Sequence, residues 1–433
     1  MKLTTAQLWR RGAFTAIAGA SALALTACGG GGGSSAGTDS LSLFVNVENT
    51  EVPAILETLA ADACAAEGEI LPLDVETVPQ SNLDQQLQLK AGQGDLPVLF
   101  SAGNAPALTK TLADSGNVAD FDKLLTDLDV IDNIEPAAIS TIENLYGGFR
   151  ALPFEYNVEG IWYNKQIFAE QGIEEPQTFD DLVAAADTLD AAGIQPFSAS
   201  GEQGWPITRL ISSYLFRDLG PDALQKVADG DAKLTDPEYV AAAQAIADLG
   251  TKGYFGQGVG SIDMATSENQ FLNGSAAMFY MGSWFLSSAN DPEVNRIGAE
   301  NVGFMPFPGV DGGKGDRSQL AANVGLPITM NAKAVNDDTE AWLSCITENY
   351  GSVALEQENR VSGFALNTEV ADVPPLTQMV QEQVADTETT VLWFEALFSA
   401  EATTTSQRNA APLVSGSISA EDFMSMVQAD LDQ

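Results

Sequence analysis

Three tryptophans stand where core packing does not explain them. Trp205 follows Gly201-Glu202-Gln203-Gly204, a loop-like stretch. Trp284 sits in Gly282-Ser283-Trp284, just past an apolar run, and Trp393 opens Trp393-Phe394-Glu395 inside a polar stretch. An indole is a flat apolar plate with one polar edge. Ligands that carry C–H faces and hydroxyl rims, as sugars do, are held by such plates together with planar groups such as Asn, Asp, Glu and Gln. Polar loops after strand-like runs supply those groups: Asn46 and Glu48 after Leu41–Val47, and Ser101 and Asn104 after Leu96–Phe100. Glu155 and Asn157 lie between Pro153 and the run Ile161–Tyr163, and Glu202 and Glu395 sit beside two of the tryptophans. Each of these alone reads equally well as a turn residue or a helix cap. Trp162 and Trp342 fall inside a strand-like and a helix-like run and read as core.

Other chemistries are excluded by residue type. The 433 residues contain no histidine. That removes Ser-His-Asp triads, Cys-His dyads and His-ligated metal sites together. A net charge of −41 repels phosphate backbones, so no nucleic acid is expected as a partner. A glycosidase needs two carboxylates at a set separation, but with 60 acidic residues a pair can always be picked, so this alternative has no spacing behind it. Asp311–Asp316 reads DGGKGD, which lacks the ligand run of a calcium loop. No phosphate-binding glycine loop is present. Neither a cofactor nor a metal is expected, and the chain reads as a non-enzyme.

The elements that must position the candidate residues alternate. Leu41–Val47 predicts a strand, Glu51–Gly68 a helix stopped by Gly68, and Leu71–Val78 a second strand. A helix capped by Ser81 or Asn82 runs to Lys90, and Leu96–Phe100 is a third strand. Strands alternating with helices argue for βαβ units and parallel sheets, whose ligands bind beyond the carboxyl ends of the strands. Further along, Phe179–Ala192 predicts a helix capped by Thr178, and Ala276–Met281 and Val324–Thr329 predict strands. Thr339–Tyr350 and Gly351–Val361 read as two helices, and Ala420–Leu431 as the last one.

The first residues read as an address. Lys2, Arg10 and Arg11 precede the small apolar run Gly12–Ala27, which is too short for a membrane span. Leu25-Thr26-Ala27-Cys28 resembles a lipobox, and Gly29–Ser35 has the composition of a flexible tether. Residues 1–27 are therefore expected to be a lipoprotein signal peptide, Cys28 the lipidated residue and 28–38 a tether. Cys64 and Cys345 remain. In an exported chain they form one bridge or stay two buried thiols, and the residues leave both open.

Several segments carry a family resemblance. Leu152-Pro153 precedes Ile161-Trp162-Tyr163-Asn164-Lys165, then Phe168-Ala169-Glu170-Gln171-Gly172-Ile173 and Pro176-Gln177-Thr178-Phe179. Lys90–Val98, Phe271–Met278 and Gly282-Ser283-Trp284 follow the same pattern in the same order. Together they resemble the extracellular solute-binding proteins of ABC importers, in the carbohydrate-binding group that includes maltose-binding protein.

The resemblance implies a periplasmic-binding-protein-like type II α/β fold. Two α/β lobes with parallel-rich sheets are joined by crossing hinge strands. Lobe 1 would comprise 39–153 plus 326–370, and lobe 2 154–325 plus 371–433. It places Cys64 and Cys345 in one lobe, which favours a bridge. It carries ligand binding onto Asn46, Glu48, Ser101, Asn104, Glu155, Asn157, Glu202, Trp205, Trp284, Asn323, Trp393, Phe394 and Glu395. The charged first-lobe residues of maltose-binding protein are not reproduced, so the resemblance does not extend to maltose. The implied ligand is a di- or trisaccharide, an α-galactoside or α-glucoside, delivered by a monomer to the permease of an ABC importer. The location implied is the outer face of the cell membrane, through a lipid anchor on Cys28. A polyol or a peptide on the same fold is the alternative, with Arg209, Arg217, Arg317 and Arg360 the few cations available to hold a carboxylate.

Overall fold

The computed structural model describes residues 39–433, apart from Glu48, Gln80, Ser81, Asn104, Ala105, Leu326 and Glu388. The segments expected to be a signal peptide and tether, with Cys28, lie outside the described residues. Among the described residues ten strands form two sheets: β1 (Leu41–Asn46), β2 (Leu73–Val78), β3 (Leu99–Ser101), β4 (Asn157–Asn164), β5 (Gln195–Ser198), β6 (Ala276–Gly282), β7 (Val302–Met305), β8 (Leu320–Asn323), β9 (Ile328–Met330) and β10 (Thr390–Val391).

The first sheet has the order β2-β1-β3-β9. β1 is parallel to β2 and β3, and β9 is antiparallel to β3. Because side chains alternate along a strand, Leu43 and Val45 enter one core while Phe44 joins Phe100, Leu83 and Leu87 in another. The second sheet has the order β10-β8-β4-β6-β5, with β7 also on β4. β5–β6 and β8–β10 are parallel, whereas β4 is antiparallel to β6, β7 and β8. Its alternation buries Trp162 on one side and Ile161 on the other.

The two lobes are built on these sheets, and the chain crosses between them beside its own return path. Leu152 bridges Ile328 on the first-sheet side, and Asn157 pairs with Asn323 in the second sheet. The sequence predicts one strand over Val324–Thr329. Only Ile328 and Thr329 of this run are strand, in β9; β8 ends before it at Asn323 in the other sheet, and the residues between them join the two sheets.

Two other expectations change. Glu51–Gly68 is two helices, Glu51–Ala61 and Ala65–Ile70, broken at Asp62 and Cys64; Gly68 lies inside the second and does not stop it. Cys64 is bonded to Cys345, with Cα atoms 5.8 Å apart, which fixes the chain at the break. The two helices expected over Thr339–Val361 are one, Asp337–Glu358, and Gly351 lies inside it where a Cβ would stand 2.6 Å from the Phe364 and Ala365 carbonyl oxygens. The Thr178 cap forms as read: its hydroxyl accepts from Asp181 N at 3.1 Å, and the Asp181 carboxylate accepts from Thr178 N at 2.9 Å. Trp162 and Trp342 are both fully buried, each donating its indole N–H to a backbone carbonyl at 2.9 Å.

Candidate functional site

The site grows from the start of β4. Asn157 and Glu159 are two residues apart and so share a face of the sheet. Both are buried, at 7% and 2% exposure, and both are polar within a strand whose interior is otherwise apolar. Burial of such groups requires partners, and neighbouring strands provide them. Asn323 donates its amide to Glu159 Oε1 at 2.8 Å. Ser283, just past β6, donates its hydroxyl to Asn157 Oδ1 at 3.2 Å.

The helix Trp205–Leu219 supplies the cation. Trp205 is its first residue and Arg209 lies one turn later, on the same side. Arg209 forms an ion pair with Glu159 through Nη1. Its guanidinium carbon lies 4.7 Å from the Trp205 ring centre, 5.3 Å from that of Trp393 and 5.9 Å from that of Trp284. The Trp205 and Trp284 rings meet edge to face, 5.8 Å apart at 60°. The three tryptophans that the sequence singles out therefore converge on one cation. Burial works against the Arg209 charge, but the Glu159 and Glu395 carboxylates outweigh it and hold its pKa above the usual arginine value. Glu395 is buried too, which raises its pKa; the Thr208 and Ser406 hydroxyls and the Arg209 charge oppose the rise.

Two glycines make room around the cluster, Gly204 for the backbone at Gln407 and Gly282 for the Trp284 indole. Gly204 caps the Trp205 helix with φ +74°, and a Cβ there would stand 1.9 Å from Gln407 O. Gly282 has an ordinary φ of −88°, but a Cβ there would stand 2.0 Å from Trp284 Cζ3.

A cavity of about 720 Å³ opens beside this cluster. One wall is Asp84, Pro106, Ala107 and Lys110, from helices of the first lobe; the other includes Trp205, Arg209, Trp393, Glu395 and Gln407, from the second. The volume lies in the range of small-molecule sites, about 300–1,000 Å³. Indole faces, carboxylates and amides on facing walls can stack on a flat apolar ring face and hydrogen-bond its hydroxyls.

The structure brings some expected residues together and separates others. Asn157, Trp205, Trp284, Asn323, Trp393 and Glu395 gather around Arg209 and Glu159. Phe394 is a correction: its ring is fully buried against Phe398 and Phe423 in the second-lobe core, because it points opposite to Trp393. Asn46 and Ser101 are buried at the ends of β1 and β3, and neither is among the described residues that line the cavity. Glu155 instead faces Arg360 Nη1 at 3.2 Å, beside the crossing strands, and Arg360 also pairs with Glu51. Glu202 is exposed, its backbone N–H bonded to Ile262 O at 3.1 Å. Glu48 and Asn104 lie outside the described residues. Sequence reasoning missed Glu159, Ser283 and Lys110. An acid within Asn157–Asn164, a strand whose interior is otherwise apolar, was the available signal for Glu159.

Comparison with known proteins agrees with this architecture. A chitin oligosaccharide binding protein of known structure is 27% identical, with a TM-score of 0.73, covering 91% of this chain and 98% of that one. A probable secreted solute-binding lipoprotein from Streptomyces coelicolor shares the fold, with a TM-score of 0.74 at 17% identity over 92% of this chain and 100% of that one. A probable sugar-binding periplasmic protein of Mesorhizobium japonicum is 26% identical over 270 residues, 58% of this chain and 62% of that protein. An uncharacterized ABC transporter extracellular-binding protein of Pyrococcus horikoshii is 23% identical over 227 residues, 50% of each. The chain thus spans 50% and 62% of the length of these two curated relatives. Residues 48–349 match the family model described as bacterial extracellular solute-binding protein. With its two sheets, crossing strands and interlobe cavity, the chain belongs to the family of bacterial extracellular solute-binding proteins.

Proposed function

We propose that this protein binds an oligosaccharide between its lobes and delivers it to the permease of an ABC importer. The observation that carries this reading is the interlobe cavity, with the Trp205 and Trp393 indoles on one wall and the polar Asp84 and Lys110 on the other. Indoles stack on the C–H face of a pyranose, and acids and amides take its hydroxyls. A di- or trisaccharide, an α-galactoside or α-glucoside, suits a cavity of this size. Closure of the lobes on the sugar is a population shift toward the state with more contacts, and the permease would recognise the closed shape. The protein acts without turnover, as a monomer held at the outer face of the membrane by acyl chains on Cys28. That a neighbour in the fold binds chitin oligosaccharides and another was solved with raffinose supports a sugar here.

The test is a thermal-shift panel on the purified protein: raffinose, a chitin trisaccharide, maltotriose, sorbitol, sn-glycerol 3-phosphate and a tripeptide. A ligand at a hundredfold over its Kd stabilises by about 2.7 kcal/mol, which moves Tm by degrees. A shift with one oligosaccharide class supports the proposal. A shift with only the polyol, the phosphate or the peptide sinks the sugar and keeps the binding role. Release of reducing sugar on prolonged incubation would overturn the absence of turnover.

A further inference from the structure

Arg209 is placed at a cost. A guanidinium carries five donors in a planar fork. Here Nη1 meets Glu159, while Nε is buried without a hydrogen-bond partner among the described residues. Glu159 Oε2 is likewise buried and without a hydrogen-bond partner among the described residues. Buried polar atoms left unpaired are destabilising, and a buried ion pair is weak evidence of stabilisation. The faces of the guanidinium are instead spent on aromatic rings, with three indoles within 6 Å of its carbon. The three rings come from separate places: Trp205 opens a helix, Trp284 follows β6, and Trp393 follows β10 in the chain. Gly282 makes room for the Trp284 ring. Trp393 lies in the stretch between β10 and the helix Ala400–Val414, and Arg209 is where its ring meets the others.

We propose that Arg209 is a positioning residue, anchored by Glu159, that holds the Trp205, Trp284 and Trp393 indoles at fixed mutual angles, so that Trp205 and Trp393, which line the cavity, form a preorganised ligand-stacking surface. This rests on the reading of the cavity as a sugar site. An indole free to change rotamer would have to be ordered on binding, and fixing it beforehand removes that cost. Glu159 is in turn held by Asn323, so the indole geometry is tied to the strands that cross between the lobes.

The test compares the wild type with Arg209→Lys, which keeps the charge and loses the planar faces. A second variant, Glu159→Gln with Arg209→Met, removes both charges of the pair together and leaves Glu395 to its Thr208 and Ser406 hydrogen bonds. Near-UV circular dichroism reports indole geometry without any ligand, and calorimetry with raffinose and a chitin trisaccharide reports affinity. Both variants are expected to lose about half of the tryptophan near-UV signal, with far-UV signal unchanged, and to bind the sugar about tenfold more weakly. A fully retained near-UV signal or wild-type affinity in a folded variant overturns the proposal. If Arg209→Lys does not fold, the double variant decides. If the wild type binds neither sugar, the sugar reading is in question, and the ligand-free signal still decides whether Arg209 positions the indoles.

Discussion

Asn323 donates its side-chain amide to Glu159 Oε1 at 2.8 Å, across the antiparallel strands β4 and β8. Asn323 lies where the chain leaves the second sheet for the first, and Glu159 holds Arg209. One hydrogen bond therefore links the crossing strands to the tryptophan cluster. A hydrogen bond to a charged group contributes about 1.5–3 kcal/mol, so Asn323→Ala should lower stability by that amount in urea unfolding. Asn323→Asp should lower it further at neutral pH, because it faces one carboxylate with another. An Asn323→Ala protein that unfolds at the wild-type urea concentration would show that this bond is no strut.

The tryptophans divide into two kinds. Trp393 and Trp205 line the cavity, and replacing either by alanine should weaken sugar binding by roughly 10–100-fold with little change in Tm. Trp162 is fully buried with its N–H bonded to Met281 O at 2.9 Å. Trp162→Ala should cost about 3–5 kcal/mol of stability. Calorimetric titration and thermal unfolding, run on the same three variants, separate the two effects; equal losses of stability would contradict the division.

Gly282→Ala tests indole placement through packing alone. The backbone there accepts alanine, but the added methyl would lie 2.0 Å from Trp284 Cζ3. The indole must move, at a cost of about 1–3 kcal/mol typical of overpacking. The expected signature is a red-shifted tryptophan emission with folding preserved. An unchanged emission spectrum would mean that Trp284 does not depend on this glycine.

The Cys64–Cys345 bridge joins residues 281 apart in sequence. It ties the helical break after Glu51–Ala61 to the helix Asp337–Glu358, and so the two first-lobe segments to each other. Closing so long a loop restricts the unfolded chain, and the double variant Cys64→Ala/Cys345→Ala should lose about 2–5 kcal/mol. Adding a reductant to the wild type should shift its Tm the same way, and should leave the variant unmoved.

Stability should peak on the acid side of neutral. Burial raises the pKa of Glu135, Glu155, Glu268 and Glu395 above their ordinary 4.5. For these groups the folded state binds protons first. Their contribution is complete below about 4.5 and is lost as pH rises through the raised values. Asp181, Asp187, Asp263, Asp316 and Asp432 are held below their ordinary 3.8, chiefly by hydrogen bonds from Thr178, Tyr254, Thr266, Ser318 and Gln428. Their contribution is lost as pH falls from 3.8 through the lowered values. Tm measured from pH 3 to 8 at fixed salt should therefore rise as pH drops from neutral, then fall steeply; Glu395→Gln should flatten the rising limb. A Tm that declines steadily from pH 7 downward would refute the assignment.

Much of the fold was legible because local rules agree with it. Leu41–Asn46 is a strand because its apolar run is short and bounded by polar residues, and Thr178 and Asp181 announce their helix through reciprocal caps. Reading failed where a distant partner overrides local pattern. The helix from Glu51 breaks beside Cys64, whose partner lies in a far helix. In Val324–Thr329, by contrast, the local signal was present and passed over: Gly325 and Pro327 disfavour a strand, and only Ile328 and Thr329 of the run belong to β9.

For the site, the sequence by itself determined the materials: no histidine, an acidic surface, and three tryptophans outside ordinary core positions. Residue type and local context suffice for that, since an indole in a glycine-rich turn has no local core to enter. Tertiary structure alone decided that these indoles share one guanidinium, that Phe394 turns inward while Trp393 faces the cavity, and that Glu159 rather than a ligand carboxylate meets Arg209. The residues involved are 159, 205, 209, 284 and 393, and no periodicity spans such separations. Only the closure of β4, β6 and the Trp205 helix on one another brings them within 6 Å, where charge and ring faces interact.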